Sequence, residues 1–308
     1  MEDGERMDPR PIAITGATGL LGRALAAAIT RNGGRARGVS RGYGTTHRWD
    51  PEKGEIDPGF VDGARAVVHL AGESIAAGRL DEAHKRALEK SRIDTTRLLV
   101  REMERADERP ETFVCASAVV FYGSRGDEWL DEGSARGDGY FAELCEAWEE
   151  AALEARALGV RVVNARFGLV LSREGGVLAK LRPVFRAGLG GKLGDGRQWM
   201  SFVHVDDAVD AIRFAIERDH EGPMNVVMPR PERNADFTKI YARVLRRPAL
   251  FTVPAAALRL ALGREAAEET LLVSQRVKPE VLLDRSFVFR YPSLEAALRA
   301  LEAEPERS

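Results

Sequence analysis

Apolar positions along this chain fall into two registers. Short continuous runs, such as Ile12-Ala13-Ile14, Ala66-Val67-Val68-His69-Leu70, Thr112-Phe113-Val114-Cys115-Ala116 and Val160-Arg161-Val162-Val163, have the length of strands buried on both faces. Between them lie stretches whose apolar residues recur every three or four positions: Leu21, Leu25, Ala28 and Ile29 after the first run, then Leu88, Ile93, Leu98, Leu99 and Met103 within 81–105, then 141–158. Arg37-Gly38-Val39-Ser40 reads as a second strand, and a third is faint within 42–63. Alternating strands and helices predict an α/β protein with a doubly wound parallel sheet, whose ligands bind beyond the carboxyl ends of the strands. Beyond Gly168 the pattern changes. A glycine-rich stretch at 188–196 reads either as a flexible cover or as a surface loop. Residues 234–302 predict three or four helices with short strands near Phe251-Thr252-Val253 and Phe287-Val288-Phe289.

The first apolar run ends in Thr15-Gly16-Ala17-Thr18-Gly19-Leu20-Leu21-Gly22, directly ahead of the first helical pattern. Each glycine has a task in such a turn. Gly16 permits the sharp bend, Gly19 lets backbone approach a pyrophosphate, and Gly22 lets the helix pack on its strand. The helix N-terminus then offers free N–H groups and a positive dipole end to phosphates. This is a Rossmann-type dinucleotide cradle. An acidic residue ending the second strand would accept hydrogen bonds from the adenosine ribose; Ser40-Arg41 stands there instead. A guanidinium matches a 2′-phosphate, so the expected cofactor is NADP. The expected division is an NADP-binding domain at 9–172 and 203–228, with a smaller α/β substrate domain at 173–202 and 229–304.

Composition narrows the partners. A net charge of −2 over 308 residues offers no basic field for nucleic acid. No apolar run reaches the length of a membrane span, so no membrane partner is expected. Cys115 and Cys145, the only cysteines, make neither a disulfide framework nor a metal site. With an acidic opening segment lacking an apolar core, they predict a cytoplasmic protein. Cys145 sits among apolar helix positions and reads as core. His204 and Asp206 read as a satisfied histidine and a helix cap rather than as catalytic groups.

The glycine turn, Val39-Ser40-Arg41, Leu70-Ala71-Gly72-Glu73-Ser74-Ile75, Lys90-Ser91-Arg92, Ser117 ahead of Tyr122-Gly123, Leu144-Cys145-Glu146-Ala147-Trp148-Glu149, Pro183-Val184-Phe185-Arg186-Ala187-Gly188-Leu189-Gly190-Gly191 and His204-Val205-Asp206-Asp207 together resemble one family. It is the extended short-chain dehydrogenase/reductases, in their atypical epimerase family protein branch with a C-terminal extension of unknown function. The resemblance implies cofactor contacts at Gly16, Thr18, Gly19, Leu20, Leu21, Gly22, Ser40, Arg41, Leu70, Ala71, Gly72 and Arg92. It also implies a small-molecule substrate, which it leaves unidentified, and a monomer or homodimer.

Typical members of that superfamily use a Ser, a Tyr and a Lys four residues after the Tyr. Ser117 stands at the expected strand end. The pair is missing: four residues after Tyr43, Tyr122, Tyr140, Tyr241 and Tyr291 come His47, Gly126, Leu144, Leu245 and Glu295. The expected catalytic residues are therefore Ser117 with Tyr122 or Tyr140 as proton donor, or a carboxylate such as Glu143 in their place. Two functions remain open: an NADP(H)-dependent oxidoreductase or epimerase-like enzyme of atypical mechanism, and a catalytically silent NADP(H)-binding sensor.

Overall fold

The computed structural model describes residues 8–40, 47–57, 59–75 and 79–303. Eight strands form one sheet: β1 (Ile12–Thr15), β2 (Ala36–Ser40), β3 (His47–Asp50), β4 (Glu55–Ile56), β5 (Ala66–His69), β6 (Thr112–Ala118), β7 (Arg161–Phe167) and β8 (Gly222–Val226). Their order is β8-β7-β6-β5-β1-β2-β3-β4, and every pair is parallel except the terminal β3–β4 hairpin. The chain leaves β1 toward β2 on one side and later returns to β5 on the other. A crevice therefore opens above the carboxyl end of β1.

Side-chain alternation divides the core between the two faces. Ile14, Val68, Val114 and Val163 join Leu25 and Ile29 of α1 (Leu20–Arg31) with Val209 and Ile212 of α6 (Val205–Glu217). Ala13, Val67, Phe113 and Val162 pack instead with Leu99 and Met103 of α3 (Thr95–Arg105) and Trp148 of α4 (Tyr140–Leu153). The helical pattern at 81–105 is interrupted: α2 (Glu82–Glu89) and α3 are joined by a π turn at Lys90–Asp94. One residue is added to that turn, which swings Arg92 into the interior.

A second core joins α5 (Gly176–Arg186), α7 (Asn234–Leu245) and the helix Leu294–Ala303 through Leu178, Phe185, Phe237, Tyr241 and Leu298. The glycine-rich stretch forms a strand, Gly191–Leu193, parallel to Phe251–Val253. The expected strand at 287–289 does not form. Phe287 turns its ring edge to Phe214 at 5.6 Å and to Phe289 at 4.8 Å, so these aromatics cap α6 instead of pairing backbone. His204 is itself the cap of α6: its Nδ1 accepts the Asp206 N–H at 3.1 Å. Asp207 reaches outward and accepts the N–H groups of Arg290 and Tyr291, at 2.8 and 3.0 Å.

Candidate functional site

The glycine turn leaves no room for side chains. Gly16 has φ +66°, and a Cβ there would lie 2.9 Å from the Ala71 amide nitrogen and the Leu70 carbonyl carbon. A Cβ on Gly22 would lie 2.1 Å from the Gly16 oxygen. Gly19 caps α1 without a side chain, and Thr18 and Gly19 are exposed. The first N–H groups of α1, at Leu20 and Leu21, thus face the crevice with no side-chain acceptor. These are the features a pyrophosphate needs.

The other wall is the end of β5. Thr15 Oγ1 accepts the N–H groups of Leu70 and Ala71, at 3.2 and 3.3 Å, which ties β1 to β5 at the crevice. Its proton therefore goes to His69 Nδ1, 2.6 Å away, and His69 Nε2 meets Thr95 Oγ1 at 3.2 Å. Complete burial lowers the His69 pKa to about 3, so this imidazole is neutral and serves as a brace.

Gly72 is exposed, and beside it lies the Arg92 guanidinium. Arg92 donates to the Glu73 carbonyl at 3.0 Å and to the Leu88 carbonyl and Ser91 Oγ at 3.3 Å, and it rests 5.2 Å from the Trp148 ring centroid. Only 8% of it is exposed, and among the described residues no carboxylate pairs with it. Burial lowers its pKa, against the opposing pull of Cys145, Tyr140 and Glu73. A buried cation without an anion is costly, and a ligand oxygen at Gly72 would relieve that cost. The residues present fit a dinucleotide. Ser40 is buried at the end of β2; Arg41 lies outside the described residues.

The candidate catalytic residues belong to two separate groups. Ser117, 4% exposed at the end of β6, donates to Glu149 Oε1 at 2.6 Å. Arg166 grips Glu149 with two bonds, Nε to Oε1 at 2.8 Å and Nη2 to Oε2 at 2.7 Å. The same guanidinium donates to the Tyr122 hydroxyl at 3.0 Å, and that hydroxyl donates to Asn225 Oδ1 at 2.8 Å. Ser117 and Tyr122 are thus the ends of one buried chain through Glu149 and Arg166. Tyr122 has no exposed surface, and burial raises its pKa to about 12. Tyr140 stands apart at the start of α4, where its hydroxyl donates to the Lys85 carbonyl at 3.0 Å. Burial foremost, with Glu89 adding to it, pushes its pKa above the ordinary tyrosine range. Cys145 touches the Ser117 hydroxyl, and burial pushes its thiol up to about 11, which leaves it a neutral core residue.

Glu149 and Arg166 were not singled out by the sequence reading. The available signal was weak: Glu149 is one of three glutamates in 145–152, while Arg166 is the one charged residue in the strand stretch 162–167. Buried charges are retained when they are paired, and here they pair with each other.

The C-terminal region packs on this site from outside. Glu265 pairs with Lys85 at 2.8 Å, and Glu269 Oε2 accepts the Phe141 N–H at 3.0 Å, capping the helix that begins with Tyr140. Gly139, at φ +110°, lies against that carboxylate, so α4 takes its cap from the C-terminal region.

Comparison with known proteins agrees with this architecture. The model of the NAD dependent epimerase/dehydratase family matches residues 12–227, and a domain of unknown function, DUF1731, matches residues 253–301. The epimerase family protein Mb2239 of Mycobacterium bovis is 41% identical over 291 residues, covering 93% of this chain and 96% of its own. The epimerase family protein YfhF of Bacillus subtilis is 36% identical over 304 residues, covering 95% and 98%. The crystal structure of human epimerase family protein SDR39U1 with NADPH superposes with a TM-score of 0.88 at 30% identity, over 96% of this chain and all of that one. The glycine turn, the parallel sheet and the appended C-terminal domain place this chain in the NAD dependent epimerase/dehydratase family, as one of its epimerase family proteins.

Proposed function

We propose that this chain binds NADP(H) above β1 and acts as an oxidoreductase or epimerase-like enzyme on a small carbonyl or hydroxyl substrate, without the Tyr–Lys pair. The observation that carries the binding is an open α1 N-terminus across the same crevice from a buried Arg92 that no carboxylate pairs with among the described residues. Gly16, Thr18, Gly19, Leu20, Leu21 and Gly22 hold the pyrophosphate, Ser40 and Arg41 the 2′-phosphate, and Leu70, Ala71, Gly72 and Arg92 line the wall beside it. The human relative's NADPH supports the phosphorylated form of the cofactor. When bound, the nicotinamide supplies or accepts a hydride.

Ser117 orients the substrate oxygen. Its own proton is committed to Glu149, so it meets the substrate as a hydrogen-bond acceptor and favours a hydroxyl over a bare carbonyl. Tyr140, half-buried, is the more accessible of the two candidate proton donors; Tyr122 is enclosed. A titration of NADPH fluorescence with the protein at micromolar concentration tests the cofactor: an unchanged signal overturns it. Turnover that survives both Ser117→Ala and Tyr140→Phe overturns the catalytic assignment.

One observation favours the second reading, a silent NADP(H) sensor. Both candidate tyrosine hydroxyls already have protein acceptors, Asn225 Oδ1 and the Lys85 carbonyl. NADPH binding with no hydride exchange against a panel of carbonyls and alcohols, together with a ligand-dependent change in protease sensitivity, would select that reading.

A further inference from the structure

Two stretches free of acidic residues meet on the smaller domain. Residues 175–194 carry Lys180, Arg182, Arg186 and Lys192 and no carboxylate. Residues 237–264 carry Lys239, Arg243, Arg246, Arg247, Arg259 and Arg264, again without one. The pairing of Gly191–Leu193 with Phe251–Val253 joins them, and Gly188 lies against Pro248. In a chain of net charge −2 this is a local excess of positive charge. Part of it is neutralised: Glu302 pairs with Arg182 and Arg186, Glu295 with Arg243, Glu268 with Arg259, and Asp236 with Lys239. Lys180, Lys192, Arg246, Arg247 and Arg264 have no ion pair among the described residues.

Exposed apolar side chains belong to the same two stretches. Leu250 is 88% exposed, Leu260 83%, Leu189 58%, Phe251 55% and Val184 43%. The helix Ala255–Leu262, α8, has the sequence Ala-Ala-Ala-Leu-Arg-Leu-Ala-Leu, yet none of its residues is buried. At the end of α7, Arg246 takes the left-handed conformation, φ 54°, and turns the chain so that Arg246 and Arg247 are exposed just ahead of Leu250. Two of the acids that follow α8 are engaged elsewhere, Glu265 on Lys85 and Glu269 on the α4 N-terminus, while Glu268 pairs with Arg259 of α8 itself.

We infer that this face docks peripherally on an anionic lipid surface. The loop-borne Leu189 and Leu250, Phe251 at the start of its short strand and Leu260 of α8 enter the interfacial region, while Arg246, Arg247 and Arg264 meet headgroup phosphates. Two arguments select lipid. A second copy related by a two-fold axis would set two faces with an excess of positive charge against each other. Aliphatic side chains on loop tips and on a helix with no buried residue also suit a fluid apolar phase better than a shaped protein pocket. No helix among the described residues is long and apolar enough to cross a membrane, so the contact is on the surface. The inference departs from the sequence expectation of no membrane partner.

The test is flotation of the full chain with phosphatidylcholine vesicles and with vesicles of phosphatidylcholine and phosphatidylglycerol in equal parts. Co-flotation with the anionic vesicles at low salt, and its loss at high salt, is expected. Arg246→Ser with Arg247→Ser should weaken partitioning about thirty-fold, on about 1 kcal/mol per basic residue. Leu250→Ser with Phe251→Ser should weaken it comparably. Unchanged thermal unfolding and NADPH titration would show that both variants are folded. Failure of the wild type to float with anionic vesicles, equal flotation with neutral ones, or wild-type behaviour of either variant overturns the inference. A concentration-dependent dimer that the Phe251 variant abolishes overturns it too, and gives the face to a second copy.

Discussion

The Ser117 hydroxyl lies 2.6 Å from Glu149 Oε1, and Arg166 holds the same carboxylate with two bonds. The serine at the expected catalytic position is therefore the outer end of a buried ion pair. Removing the two partners should have unequal effects. Glu149→Ala strands the Arg166 guanidinium and should cost about 3–5 kcal/mol. Ser117→Ala leaves the pair intact and should cost about 2 kcal/mol, the scale of a hydrogen bond to a charged group. Urea unfolding of both variants checks this, and equal losses would show that Arg166 finds another partner.

Acid should destabilise the protein through His69. Its folded pKa, about 3, lies below the ordinary value of 6.5, so between those limits the unfolded chain binds the extra proton. Stability is complete above about pH 6.5 and falls as pH drops toward 3. At pH 5 the loss from this group is about 2 kcal/mol, at about 1.4 kcal/mol per unit below 6.5. His204, lowered to about 4 chiefly by burial, adds in the same direction. The measurement is unfolding free energy at pH 7 and pH 5 for wild type and His69→Gln. Identical pH slopes would remove His69 from the account.

Gly22→Ala should weaken NADPH binding more than tenfold, because its Cβ would meet the Gly16 carbonyl at 2.1 Å and displace the start of α1. Calorimetric titration with NADPH reads the effect directly. Affinity within twofold of wild type would mean that this turn does not shape the site.

Arg41→Ala should weaken NADPH by about 2 kcal/mol, as the loss of a charge-assisted hydrogen bond does, and leave NADH nearly unchanged. Equal losses for the two dinucleotides would remove the argument for the 2′-phosphate.

The individual strands and the glycine turn were legible in the sequence, because each is a local pattern. A strand, three spaced glycines and an amphipathic helix lie within Ile12–Arg31, and the glycines cannot be replaced without collision. What stayed hidden depends on distant residues. The helical periodicity through 81–105 runs on past Lys90, and only the packing of Arg92 beneath Gly72 exposes the π turn. The link from Ser117 to Glu149 and Arg166 joins three elements, and no spacing rule connects them. Phe287-Val288-Phe289 alternates like a strand, yet its aromatic rings have α6 to pack on and its backbone has no neighbour to pair with.

The cap that Glu269 places on α4 means the C-terminal region is no detachable appendage. A chain cut ahead of residue 253 would keep every glycine of the cradle. It would lose the carboxylate that closes the helix bearing Tyr140 and the Glu265 partner of Lys85. The two regions should therefore melt in one cooperative transition. A chimaera taking one region from a relative would need matching residues at positions 85, 139, 265 and 269 before its cradle and its cover could work together.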